Sequence, residues 1–147
     1  MVTAGVHSSL TKAEVDSAVR AYWKAVSLKD AVQQQNFYDD HAAIFATDSN
    51  KLEPARTVLL RRQREYLNAA TKMTVQVGEV EIELVGSRHA IAAYTIRLDA
   101  KYILRTSPSG STSADEHLEH VRITQLFGRQ NDGTLQIVHE HVSVPLG

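Results

Sequence analysis

From Met73 onward the apolar residues of this 147-residue chain fall on every second position, whereas before it they recur every third or fourth. The first period belongs to helices and the second to half-buried strands. One chain that changes period once, near its middle, is expected to pack helices on one face of an antiparallel sheet. In the helical half, Thr11-Lys12-Ala13-Glu14 is a capping box that opens a helix. Val15, Val19, Tyr22 and Val26, widened by Ala18 and Trp23, form its buried stripe. Asp30 caps a second helix over 31–38, a short strand follows over 42–46, and Thr47-Asp48-Ser49-Asn50 is turn chemistry. Pro54 suits the first position of a third helix, with Asn68 as its stop.

In the strand half, Met73, Val75 and Val77 alternate with polar neighbours, as do Val80, Ile82 and Leu84. Gly86-Ser87 turns the chain into a long strand over 89–104. Ala90, Ala92, Tyr94, Ile96 and Leu98 mark one face of it, and Arg97, Asp99 and Lys101 the other. Residues 107–115 read as a flexible connection and 118–129 as a strand. Asn131-Asp132-Gly133 makes a hairpin to a last strand over 135–144. The expected organisation is a flexible arm over 1–10 and a single domain over 11–147.

Composition removes several classes of function. A formal charge of −1 gives no general attraction to nucleic acid or an anionic membrane surface. The absence of cysteine excludes disulfides, thiol catalysis and thiolate metal sites. No apolar run approaches the ~20 residues of a membrane helix, and the start lacks the basic and apolar segments of a signal peptide. A soluble cytoplasmic protein is expected.

Several local strings are similar to those of a known group. Arg122-Ile123-Thr124, then Asn131-Asp132-Gly133, then Ile137-Val138-His139-Glu140-His141-Val142-Ser143 resembles the ending of SnoaL-like domains in the nuclear transport factor two-like superfamily. Phe37-Tyr38-Asp39-Asp40 followed by Ile44-Phe45 is similar to a segment of the same group, and the calcium/calmodulin-dependent kinase association domain is a further likeness. Leu135 departs from the pattern, since an aromatic often follows the turn there. The resemblance implies an α+β fold, three N-terminal helices on a strongly curved antiparallel sheet, enclosing a cone-shaped pocket. It also implies a homodimer formed through the sheet. It does not imply one reaction, because the superfamily holds isomerases, dehydratases, epoxide hydrolases, polyketide cyclases and non-catalytic modules. Its steroid isomerases use a carboxylate base and two oxyanion donors. Here the helix-one tyrosine falls on Tyr22, the base on Ala46, and the donor aspartate near Thr124.

The residues left for chemistry are histidines and their neighbours. His139, His141 and Ser143 share a face of the last strand, and His120, Arg122 and Thr124 share a face of the strand paired with it. With both faces turned into the cone, His141 or His139 would serve as acid or base and Arg122 as the anchor of an anion. Tyr22 would donate a hydrogen bond, Asp48 would be a reserve base, and His120, Thr124, Tyr94 and Trp23 would line the ligand. The competing reading makes His141 and Ser143 structural and pairs Arg122 with Glu119 or Glu140. Four histidines (His117, His120, His139, His141) sit on neighbouring strands without a metal-binding spacing, so no metal is expected. No organic cofactor is required. Arg56, Arg61, Arg62 and Arg64 read as a solvated helix face. The expected function is a small-molecule pocket, either a lyase, isomerase or hydrolase for an apolar organic ligand or a binder of one. The alternative is an association module built on the outer face of the sheet.

Overall fold

The computed structural model describes residues 9–107 and 110–145. Helix α1 (Lys12–Ser27) begins at the expected capping box: Glu14 N–H donates to Thr11 Oγ1 and Thr11 N–H to Glu14 Oε1, both at 3.2 Å. Val15, Val19, Tyr22, Trp23 and Val26 are its buried stripe. Leu10, expected in the arm, is instead buried, and its N–H donates to Ser87 O at 3.0 Å. Residues 1–8 of that arm lie outside the described residues.

Asp30 caps α2 (Ala31–Asn36), which ends before the expected residue 38. Tyr38 is pulled instead into β1 (Tyr38–Phe45), because its neighbour Phe37 offers its carbonyl to Ile137 N–H at 2.7 Å. A three-residue strand, β2 (Leu52–Pro54), pairs with β1, and Pro54 caps α3 (Ala55–Arg62) rather than entering it. The helix widens into a π turn over Gln63–Leu67. Then follow β3 (Ala70–Val77), β4 (Glu81–Val85), β5 (His89–Ser107), β6 (Gly110–Arg129) and β7 (Leu135–Ser143). Most of the 107–115 string is therefore strand: Arg105 pairs with Thr112 and Ser107 with Gly110. Small hydroxyl side chains do not oppose a ladder whose bonds are made by backbone, and only 108–109 lie outside the described residues.

The sheet runs β2-β1-β7-β6-β5-β3, with β4 on β5 beyond β3. It is mixed, not purely antiparallel, because β1 and β7 pair in parallel. The helices cover its concave side, giving the expected α+β cone. Ala90, Ala92, Tyr94 and Ile96 of β5 are buried there, together with Ile44, Ile123, Phe127 and Ile137. Arg97 and Asp99 lie on the outer face, 3.3 Å apart and each about half exposed.

Two bulges set which side chains look inward. On β6, Glu119 and His120 together oppose Arg97, since Ile96 pairs with Val121 and Leu98 with Leu118. His120 takes a left-handed φ of 55° there. On β7, Phe127 pairs with Ile137 but Leu126 with His139, which leaves Val138 as the extra residue. Val138 lies over Gly128, where a Cβ would come within 3.1 Å of Val138 Cγ2.

Candidate functional site

The bulge at Val138 turns Ile137 and Glu140, three residues apart, to the same side. Both are buried on the concave face. Glu140 is 1% exposed and needs partners, because a carboxylate without them at that depth is strongly unfavourable. It has them. Tyr38 Oη lies 2.8 Å and Gln125 Nε2 2.7 Å from its Oε1, and Arg62 approaches Oε2 at 3.4 Å.

The chain of hydrogen bonds continues in two directions. Tyr94 donates to Gln125 Oε1 and Trp23 Nε1 donates to Tyr94, each at 2.7 Å. On the other side, the hydroxyls of Tyr38 and Tyr22 are 2.8 Å apart. A phenol has one proton to give, and a carboxylate is the stronger acceptor. Tyr38 therefore donates to Glu140 and accepts from Tyr22. Burial, reinforced by the Glu140 charge, pushes the Tyr22 and Tyr38 phenols well above their ordinary pKa. Burial does the same to Tyr94. For Arg62, burial works against the charge, and Glu140 with the two phenols outweighs it, so the guanidinium pKa is raised. All three phenols are neutral hydrogen-bond donors at neutral pH.

Beside this network is a cavity of about 230 Å3. Tyr22, Trp23 and Val26 of α1, Gln34 of α2 and Arg62 of α3 line one side. Ile96, Leu98, Leu118, Val121 and Val142 line the other, with Asp48 and Glu116 as its carboxylates. Asp48 is clasped by Arg61, whose Nε and Nη2 each lie 2.9 Å from a carboxylate oxygen. That contact is the main reason its pKa is lowered, which weakens it as a base. Arg61 also binds Glu53 through two bonds of 2.8 Å. Arg62, one residue on, leaves the expected solvated face and enters the cavity.

A model of the SnoaL-like domain matches residues 15–147. The chain belongs to the SnoaL-like domain family. Solved structures share the fold of this SnoaL-like domain at low identity. A Novosphingobium aromaticivorans protein assigned as a scytalone dehydratase is 10% identical, with 90% of this chain and 82% of that one covered at a TM-score of 0.73. The association domain of C. elegans CaMKII is 14% identical, with 90% and 95% covered and a TM-score of 0.65. A Shewanella frigidimarina protein assigned as a ketosteroid isomerase is 16% identical, with 86% and 92% covered and a TM-score of 0.61. No match was found among curated protein sequences.

Within the SnoaL-like domain the residues singled out from sequence divide between two faces. Tyr22, Trp23 and Asp48 line the cavity, and Tyr94 is bonded to Trp23 just behind it. His120, Arg122, Thr124 and His141 are exposed, and His139 is half-buried on the same outer face. Arg122 does pair with β7, through Nε to Ser143 Oγ at 3.1 Å, and Thr124 stands opposite His141. They converge as expected, but on the side away from the cavity. There the rings of His139 and His141 lie 6.0 and 5.9 Å from that of exposed Phe45. On β6 the reason is plain: Val121, Ile123 and Phe127 alternate, and burying them turns Arg122 and Thr124 outward. On β7 it is the bulge, which no spacing reveals. Among the described residues no group of three or more His, Asp or Glu is placed to hold a metal ion, and no helix is long and apolar enough to cross a membrane.

Proposed function

We propose that this SnoaL-like domain binds a small, largely apolar organic molecule in its cavity and acts on it by general acid–base chemistry. The observation that carries this reading is the continuous path from cavity to buried carboxylate: Tyr22 lines the cavity, and its hydroxyl leads through Tyr38 to Glu140. The path is oriented to carry a proton inward. A ligand proton passes to the Tyr22 oxygen as the Tyr22 proton passes to Tyr38 and that of Tyr38 to Glu140. The ligand is left as an anion, both phenols are restored, and Glu140 becomes a neutral acid. Arg62, then freed from its ion pair with Glu140, faces the new anion across the cavity. Return of the proton along the same path to a different atom of the delocalised anion completes an isomerisation. In this reading the base is Glu140 and the cation is Arg62, parts that the sequence pattern alone gives to His139 or His141 and to Arg122.

Size supports an aromatic or bicyclic ligand. A dry cavity of ~150 Å3 admits benzene, and this one is larger, at about 230 Å3. Trp23 is the only tryptophan and lines the cavity, so its emission reports occupancy. Titration with naphthalene is expected to give a saturable change at one equivalent, and Val121→Trp, which fills the space, should abolish it. No saturable change in the unmodified protein would end the pocket reading.

A second reading, an association module, is favoured by exposed Phe45, flanked by two histidines on the open face of the sheet. It expects a homodimer by light scattering that Phe45→Glu converts to monomer. A monomer in the unmodified protein at high concentration would remove it.

A further inference from the structure

Gln33, Gln34 and Gln35 run consecutively along α2, and only the middle one is buried, at 4% exposure. The backbone fixes it from both sides: Gln34 N–H donates to Asp30 O at 3.0 Å, and its carbonyl accepts from Phe37 N–H at 3.2 Å. Its side chain lines the cavity, yet its Nε2 makes no hydrogen bond. A buried amide nitrogen without an acceptor is unfavourable, and native structures rarely tolerate one unless something else supplies the acceptor.

The charges nearby decide what that acceptor is. Among the described residues, two guanidiniums, Arg61 and Arg62, stand in and around the cavity with four carboxylates, Asp48, Glu53, Glu116 and Glu140. An anionic ligand would enter a surplus of negative charge, and Arg62 already faces Glu140. The carboxylates do not call for a cation either. Arg61 neutralises Asp48, while Glu116 accepts from the Tyr102 hydroxyl at 3.1 Å and is only half-buried.

We infer that Gln34 is a ligand-binding residue and that the ligand is an uncharged molecule presenting a carbonyl-type oxygen to Gln34 Nε2. This rests on the pocket reading above and narrows its substrate class. A matched set of probes separates the two: naphthalene, 2-acetylnaphthalene, 2-naphthoate and 2-naphthylmethylammonium, each followed by Trp23 emission. The acetyl compound is expected to bind about tenfold more tightly than naphthalene, the worth of one good hydrogen bond to a group otherwise unpaired. Gln34→Leu should erase that difference while keeping naphthalene affinity. It should leave the unliganded protein as stable as before or more so, since it removes the unpaired donor. Gln34→Met serves the same purpose with an unbranched side chain. Failure of naphthalene itself to bind would overturn the pocket reading. Binding of naphthalene with no acetyl preference, or with naphthoate or the ammonium compound tightest, would overturn the role of Gln34 alone.

Discussion

Glu140→Ala is expected to destabilise the protein by about 3–5 kcal/mol, the usual loss when one partner of a buried charged network is removed. The substitution strips the acceptor from Tyr38, Gln125 and Arg62 together, and the first two are themselves buried. Neither can turn to water. Glu140→Gln keeps one acceptor oxygen and places an amide near Arg62, so its loss should be clearly smaller. Urea unfolding of the three proteins measures both numbers. A loss below about 1 kcal/mol for the alanine variant, the range of an exposed ion pair, would mean that Glu140 is solvated, and the proposed proton path would fall with it.

Phe127→Ala should weaken the fold by a similar ~3–5 kcal/mol through loss of a large side chain and the space it leaves. Phe127 is 0% exposed and lies in the core on the concave side of β6. Its counterpart is Arg122, on the opposite face of the same strand and exposed. Arg122→Ala is expected to change stability by no more than about 0.5 kcal/mol and to leave naphthalene binding unchanged. The pair tests which face of the strand looks into the cone. Loss of probe binding in the Arg122 variant, with Phe127→Ala nearly neutral, would restore the opposite assignment.

The fold was legible because its signals are local and repeated. Thr11 and Glu14 announce α1 by side-chain chemistry alone, and the alternation through Tyr94 places β5 correctly by face. The cavity was legible where it depends on α1, whose stripe carries Tyr22 and Trp23. The rest of the site depends on facts that local pattern does not encode. Glu140 looks inward because Val138 is bulged, so residues 137 and 139 do not share a face. Arg62 parts company with Arg61 at the last turn of α3, where acidic partners hold the one and Glu140 the other. Gln34 could not be told from its two neighbours without knowing which side of a short helix meets the cavity. The outward face of β6 is readable in the sequence: Val121, Ile123 and Phe127 alternate, and giving them the interior places Arg122 and Thr124 outside.

The parallel partnership of β1 and β7 bears on how the chain reaches this state. β7 lies between β1 and β6, so the sheet is completed only when the C-terminal strand arrives beside one from the N-terminal half. Contacts so distant in sequence close slowly. During synthesis β7 emerges after the other six strands, and it brings Glu140 with it. Until then Tyr38 and Gln125 have no carboxylate between them, and two strand edges stand open to pairing with another chain. A nascent chain halted before β7 should therefore engage chaperones as an unfinished sheet, and release of that one strand should let it go.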